Sequence, residues 1–239
     1  MNNKRLNLLT IEKNDIIDDP NVIIDDEFNI IFLSYPVIEL FMYYLGKVII
    51  DGNSKIVIVV DKKPNQRALY EYNDYFAVTI LYAENKVEEL REIQLSGALD
   101  YRRLNEFFLN LIVESLSFAC IQVGQEDRIA LIEDAANKVR ENNFDVIYKV
   151  KKLTKRSKDG EYTINTFRHI TESGEWYYFD IKSKSKKSTV RYNPNHEKQY
   201  VPLEVCYSNV VWDGHIVKLE NRFGRSLLVI DADKEEIVR

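Results

Sequence analysis

A chain of 239 residues that is 45% hydrophobic can build one large domain or two small ones, and is too apolar to be a disordered segment. Gly 8 and Pro 5 are low counts, so no flexible or proline-rich linker is expected, and any two halves should pack together. The net charge of −5 hides a split: residues 1–100 carry 10 Lys+Arg against 17 Asp+Glu, residues 101–143 carry 5 against 7, and residues 144–239 carry 18 against 14. An acidic front and a mildly basic back bear on partner choice and association rate, not on fold.

The chain opens with an apolar patch over residues 6–11, too short for a signal peptide. Residues 15–27 follow, with two Ile-rich pairs between clusters of acid around Pro20-Asn21, where a turn is expected. Asp15, Asp18, Asp19, Asp25, Asp26 and Glu27 place six carboxylates in thirteen positions. The spacing does not fit a calcium loop, which needs a glycine at its sharp turn. An acidic, partner-facing surface is the functional reading. A solvated face is the ordinary one.

Residues 28–33 predict a strand. Ser34 or Tyr35 is then expected to cap a helix with Pro36 in its first turn and Val37, Leu40, Phe41, Tyr44 and Leu45 on its buried face. Gly46 could stop that helix, leaving residues 47–51 as a strand before an Asp51-Gly52 turn. The alternative end is Ile50. Lys55–Val60 is a continuous β-branched run, the pattern of a strand covered on both faces. The polar residues 62–73 read as a loop, residues 75–83 as a strand, and Lys86–Leu95 as an amphipathic helix on Val87, Leu90 and Ile93.

Residues 100–123 form the most apolar stretch. Leu104, Phe107, Phe108, Leu111 and Ile112 recur at helical spacing, with Leu109, Val113, Leu116 and Cys120 as a second row. A helix apolar nearly all round is a core helix. Asp100 is its expected cap and Gly124 its stop. Glu114 in its middle argues against a membrane span. Residues 125–142 predict a second helix on Ile129, Ile132, Ala136 and Val139, with Glu126 and Asp127 early and Lys138 and Arg140 late, as the helix dipole favours.

From Phe144 the apolar period becomes two. Turn pairs at Asp159-Gly160, Ser173-Gly174, Asp213-Gly214 and Phe223-Gly224 separate alternating runs over 161–171, 175–182, 203–211, 215–220 and 226–231. The expected fold is α+β: a mixed α/β layer over 1–99, two central helices over 100–143, and an antiparallel meander of about six strands over 144–239.

No phosphate-binding glycine loop, nucleophile elbow or paired-histidine zinc motif is present. Cys120 and Cys206 fall in apolar patterns, which predicts buried, reduced thiols and a cytosolic location. His169, His196 and His215 are too scattered to predict a metal site, so no cofactor is expected. Asp180-Ile181-Lys182 places a carboxylate and a lysine on one strand face, after Asp159, Glu161 and Glu175. This resembles the acid-x-lysine element of restriction-endonuclease-like nucleases, which implies a divalent metal and an activated water.

A second pattern is basic. Lys149, Lys151, Lys152, Lys155, Arg156 and Lys158 lie on one strand and its turn, and Lys182, Lys184, Lys186, Lys187 and Arg191 on or after another. Tyr162, Trp176, Tyr177, Tyr178 and Tyr192 are close in sequence. A basic sheet with aromatics binds single-stranded nucleic acid, although edge lysines also serve to keep sheets from aggregating. The reading that follows from missing catalytic motifs is a non-enzymatic binding protein, most concretely an immunity or antitoxin-type inhibitor of a toxin domain in the bacterial cytoplasm. Its partner is then another protein, with no role for a membrane. The alternatives are a nucleic-acid-binding accessory protein using Lys149, Lys151, Lys152, Lys182, Lys184 and Lys186, and a metal-dependent nuclease using Asp180 and Lys182.

Overall fold

The computed structural model describes residues 4–13, 30–61, 65–72, 76–83, 86–95, 100–172, 174–183, 187–192 and 207–238. The fold is α+β, and it divides into two compact units, 1–145 and 146–239.

The first unit holds a four-stranded sheet of β1 (Leu8–Lys13), β2 (Lys55–Val60), β3 (Gln66–Tyr72) and β4 (Phe76–Ala83), in the order β1-β2-β4-β3. β1, β2 and β4 run parallel, and β3 pairs antiparallel with β4. The β-branched run of β2 forms an inner strand, with Ile56, Val57, Ile58 and Val60 all buried. Around the sheet lie α1 (Ile30–Leu45), α2 (Lys86–Leu95), α3 (Tyr101–Gln122) and α4 (Ile129–Glu141).

Four local expectations differ from the structure. The strand expected at 28–33 is, from Ile30 on, the first turn of α1, so Pro36 falls inside the helix rather than at its start. Ser34, expected as a cap, is buried within α1, where its hydroxyl donates to the Ile31 carbonyl at 3.3 Å. A short apolar run carries no period, so only length separates strand from helix. Residues 47–51 are not a strand: Gly46 ends α1 at φ +67, and Asp51 and Gly52 both adopt positive φ. The loop expected at 62–73 contains β3, an edge strand whose Leu69 is 47% exposed, so it never shows an apolar alternation.

α3 is long and apolar enough to cross a membrane by length and composition, and here its apolar rows are buried except for the half-buried Val113. Asp100 caps it, with Oδ1 accepting from the Arg103 N–H at 3.0 Å. Arg140 of α4 ties to it through Glu106 at 3.0 Å and Asn110 at 2.7 Å. A partly buried polar cluster joins the turn before β2, strand β3 and strand β4 to the α3–α4 connection. Asp51 accepts from Arg67 and Thr79, Thr79 accepts from Asn53 at 2.7 Å, and the Asp51 N–H donates to Gln125 at 3.1 Å.

Cys120 is fully buried in α3, and burial pushes its thiol up to about 11, with Asp127 adding to the shift. The folded state therefore holds the proton where the unfolded chain releases it. Stability contributed by the neutral thiol is present below the ordinary thiol range and is lost as pH rises from about 9 towards 11. Cys120→Ala should flatten that part of a melting-temperature profile, and an identical alkaline slope in the variant would refute the assignment.

Among its described residues the second unit is built of β-strands, with one helical turn at Lys151–Leu153. One sheet runs β5 (Val146–Lys149), β7 (Tyr162–Thr171), β8 (Gly174–Ser183), β9 (Lys187–Tyr192), with the short β6 (Lys155–Arg156) also on β7. The other runs β10 (Asn209–Asp213), β11 (Ile216–Glu220), β12 (Ser226–Asp231), β13 (Glu236–Ile237). All pairings are antiparallel. The antiparallel region is thus two sheets, the first built on the ten-residue strands β7 and β8. Ile164, Tyr177, Phe179, Ile181 and Val190 of one share a core with Val210, Val217, Leu219, Leu228 and Ile230 of the other. Each sheet of this unit therefore has an inner face in the core and an outer face away from it.

Candidate nucleic-acid interface

Alternation along β7 and β8 sorts their side chains. Ile164, Thr166, Arg168 and Ile170 are buried, as are Glu175, Tyr177, Phe179 and Ile181. The intervening residues form the outer face. Directly opposed residues of antiparallel strands share a face. The register sets Phe167 opposite Tyr178 and His169 opposite Trp176. Four aromatic rings therefore occupy two adjacent rows on the two middle strands, all half-buried. His169 Nδ1 lies 3.2 Å from the Tyr178 hydroxyl, and their rings are 5.7 Å apart. On the β5 side, Ile147 stands opposite His169 at 56% exposure, and the exposed Lys149 stands opposite Phe167.

Basic positions lie beside this block and, beyond the Asn165–Asp180 row, in the Thr163 row of the same sheet. Arg156 and Lys182 both pair with Thr163 across the sheet, and Lys187 and Arg191 occupy register positions opposite Lys182 and Tyr178. Lys149 donates to Asn165 at 2.7 Å, which holds its ammonium over the face. Asp180 is the one carboxylate among the outer positions of β7 and β8, and it accepts from Thr189 at 2.8 Å. The arrangement offers flat rings to unpaired bases and cations to phosphates.

The sequence candidates divide accordingly. Lys149 and Lys182 both stand on the outer face, opposite Phe167 and Thr163 of β7, while Lys151 and Lys152 are exposed in the helical turn just after β5. Lys184 and Lys186 lie outside the described residues, as do Asp15, Asp18, Asp19, Asp25, Asp26, Glu27, His196 and Cys206. Lys155 reaches the Val210 carbonyl at 2.7 Å, and Arg156 bonds the Gly160 carbonyl at 3.0 Å. Among the aromatics, Tyr177 points into the core, and Tyr162 stacks on Trp212 at 5.5 Å, so neither joins the outer block. Phe167 and His169 are the residues that sequence reasoning missed. Their alternation with the buried Arg168 was the available signal, but only the register shows that they face Tyr178 and Trp176.

The nuclease constellation is not assembled. Asp180 and Lys182 share the outer face, yet Glu175 is on the inner face, fully buried against Arg168. Among the described residues no three His, Cys, Asp or Glu side chains are grouped to hold a metal ion. No family model, curated protein or solved structure matches this chain.

Proposed function

We propose that this chain is a binding protein that holds single-stranded nucleic acid on the outer face of the β5-β7-β8-β9 sheet. The observation that carries the reading is the two-by-two aromatic block on β7 and β8, with Lys149 beside it and Arg156 and Lys182 in the Thr163 row of the same face. Phe167, His169, Trp176 and Tyr178 stack on bases, and each stacked base is worth about 1–3 kcal/mol. The lysines neutralise phosphates and release counterions, so affinity falls as salt rises.

The test is fluorescence anisotropy of labelled single-stranded DNA and RNA across a salt series. Lys149→Glu/Lys182→Glu changes two exposed residues and should leave stability within about 0.5 kcal/mol. It should weaken binding at low salt and reduce the log–log salt slope by about 0.7 for each phosphate that is no longer neutralised. Equal affinity and equal slope in the variant would remove this face from consideration.

A second reading, an immunity-type inhibitor that neutralises a cationic toxin domain, is favoured by the 17 Asp+Glu against 10 Lys+Arg in residues 1–100. Its docking surface would be the acidic cluster at 15–27. Asn at Asp18, Asp19, Asp25 and Asp26 should then slow association with such a domain, and unchanged association rates would refute it.

A further inference from the structure

The most exposed large apolar side chain among the described residues is Phe223, at 78%. It sits at the tip of the β11–β12 hairpin, and the tip is held fast. The Asn221 carboxamide oxygen accepts from the N–H groups of Phe223 at 2.9 Å and Arg225 at 3.0 Å. Backbone bonds run from Asn221 N–H to the Arg225 carbonyl and from Gly224 N–H to the Asn221 carbonyl, both at 3.0 Å. Gly224 has φ +76, a conformation that side-chain-bearing residues adopt with strain. The hairpin thus fixes an aromatic ring outward rather than leaving it to fold back.

The ring is presented with charge. The Arg222 guanidinium lies 4.7 Å from the Phe223 ring centroid, and both Arg222 and Arg225 are exposed. No acid lies between Glu220 and Asp231. A ring with one guanidinium against it and a second exposed arginine two residues on suits a base with its phosphates.

Through Ser208 the tip adjoins a segment that packs on the inner face of β8, beneath the aromatic block. Tyr207 packs edge-on against Tyr177 at 5.9 Å, between Trp176 and Tyr178 in β8. The next residue, Ser208, bonds the Glu220 carbonyl at 2.8 Å, and the tip begins at Asn221.

We infer that the 221–225 hairpin tip is a second binding point for the same strand: Phe223 stacks on one base, and Arg222 and Arg225 hold the neighbouring phosphates. This rests on the sheet-face reading, and it predicts a dependence on strand length. A hexanucleotide fills the sheet face, whereas a thymidine tract several times longer also reaches the tip.

The experiment compares both strands by anisotropy. Phe223→Ala should weaken the long tract about tenfold, the loss of one stacked base, and leave the hexanucleotide unchanged. Phe223→Trp should restore it, and Arg222→Gln/Arg225→Gln should lower the salt slope on the long tract alone. Phe167→Ala/Tyr178→Ala should lose both strands. Wild-type affinity of Phe223→Ala for the long tract overturns the tip while leaving the sheet face standing. Failure of the wild type to bind either strand overturns the sheet face and the tip with it. Loss of binding to anionic phospholipid vesicles in Phe223→Ala, with strand binding unchanged, also overturns the tip and assigns it to a membrane surface.

Discussion

Arg168→Met is expected to destabilise the protein by about 3–5 kcal/mol, the largest single effect in the C-terminal unit. Arg168 and Glu175 are both fully buried and bonded to each other across seven residues of a hairpin. Arg168 also donates to the Tyr148 hydroxyl at 2.6 Å, and its guanidinium lies 5.9 Å from that ring. Removing the cation leaves the Glu175 carboxylate in the core without its counter-charge, and a buried uncompensated charge costs far more than the pair contributes. The same argument fixes the second variant. Arg168→Met/Glu175→Leu removes both charges and should recover most of the loss, because apolar groups of similar volume often replace a buried pair at no cost. Urea melts measure both. A single variant within about 0.5 kcal/mol of wild type would show that water reaches the pair.

Leu111→Ala is expected to cost about 2–5 kcal/mol. Leu111 is 1% exposed in the middle of α3, among Phe107, Phe108, Ile112 and Leu116, all buried. Truncation leaves a cavity that neighbours on a rigid helix cannot close. The control is Glu114→Ala three residues on. That carboxylate is 57% exposed and pairs with Lys86 at 3.0 Å, and surface pairs of this kind are worth about 0–1 kcal/mol. Comparable losses in the two variants would mean that α3 is not the core helix described here.

Where local signals are strong, sequence and structure agree. Lys86–Leu95 forms as the Val87, Leu90 and Ile93 spacing requires, and α3 starts one residue after the Asp100 cap. Disagreements arise where one short pattern serves two structures. Ile30 to Leu33 is apolar without a period, so the helix that continues to Leu45 decides it. β3 is an edge strand, and its Gln66 and Leu69 are exposed. The proposed binding face is half legible in the sequence. Lysine clustering pointed to Lys149 and Lys182, and the aromatics drew attention to the right strands. Period two alone cannot say which of Trp176, Tyr177 and Tyr178 faces the core. That depends on pairing with β7 and on the second sheet, whose Tyr207 meets Tyr177.

Trp176 is the natural probe of the central claim, because the chain has only one other tryptophan, Trp212, which stacks on Tyr162 beside the core. Trp212→Phe keeps a ring on Tyr162 and leaves Trp176 to report alone. Titration with a single-stranded thymidine tract should quench its emission to a saturating plateau, and a duplex of the same length should not. Trp176→Phe, which leaves only Trp212, should show no quenching while binding persists. Unchanged Trp176 emission at strand concentrations that saturate the anisotropy signal would contradict the stacking face.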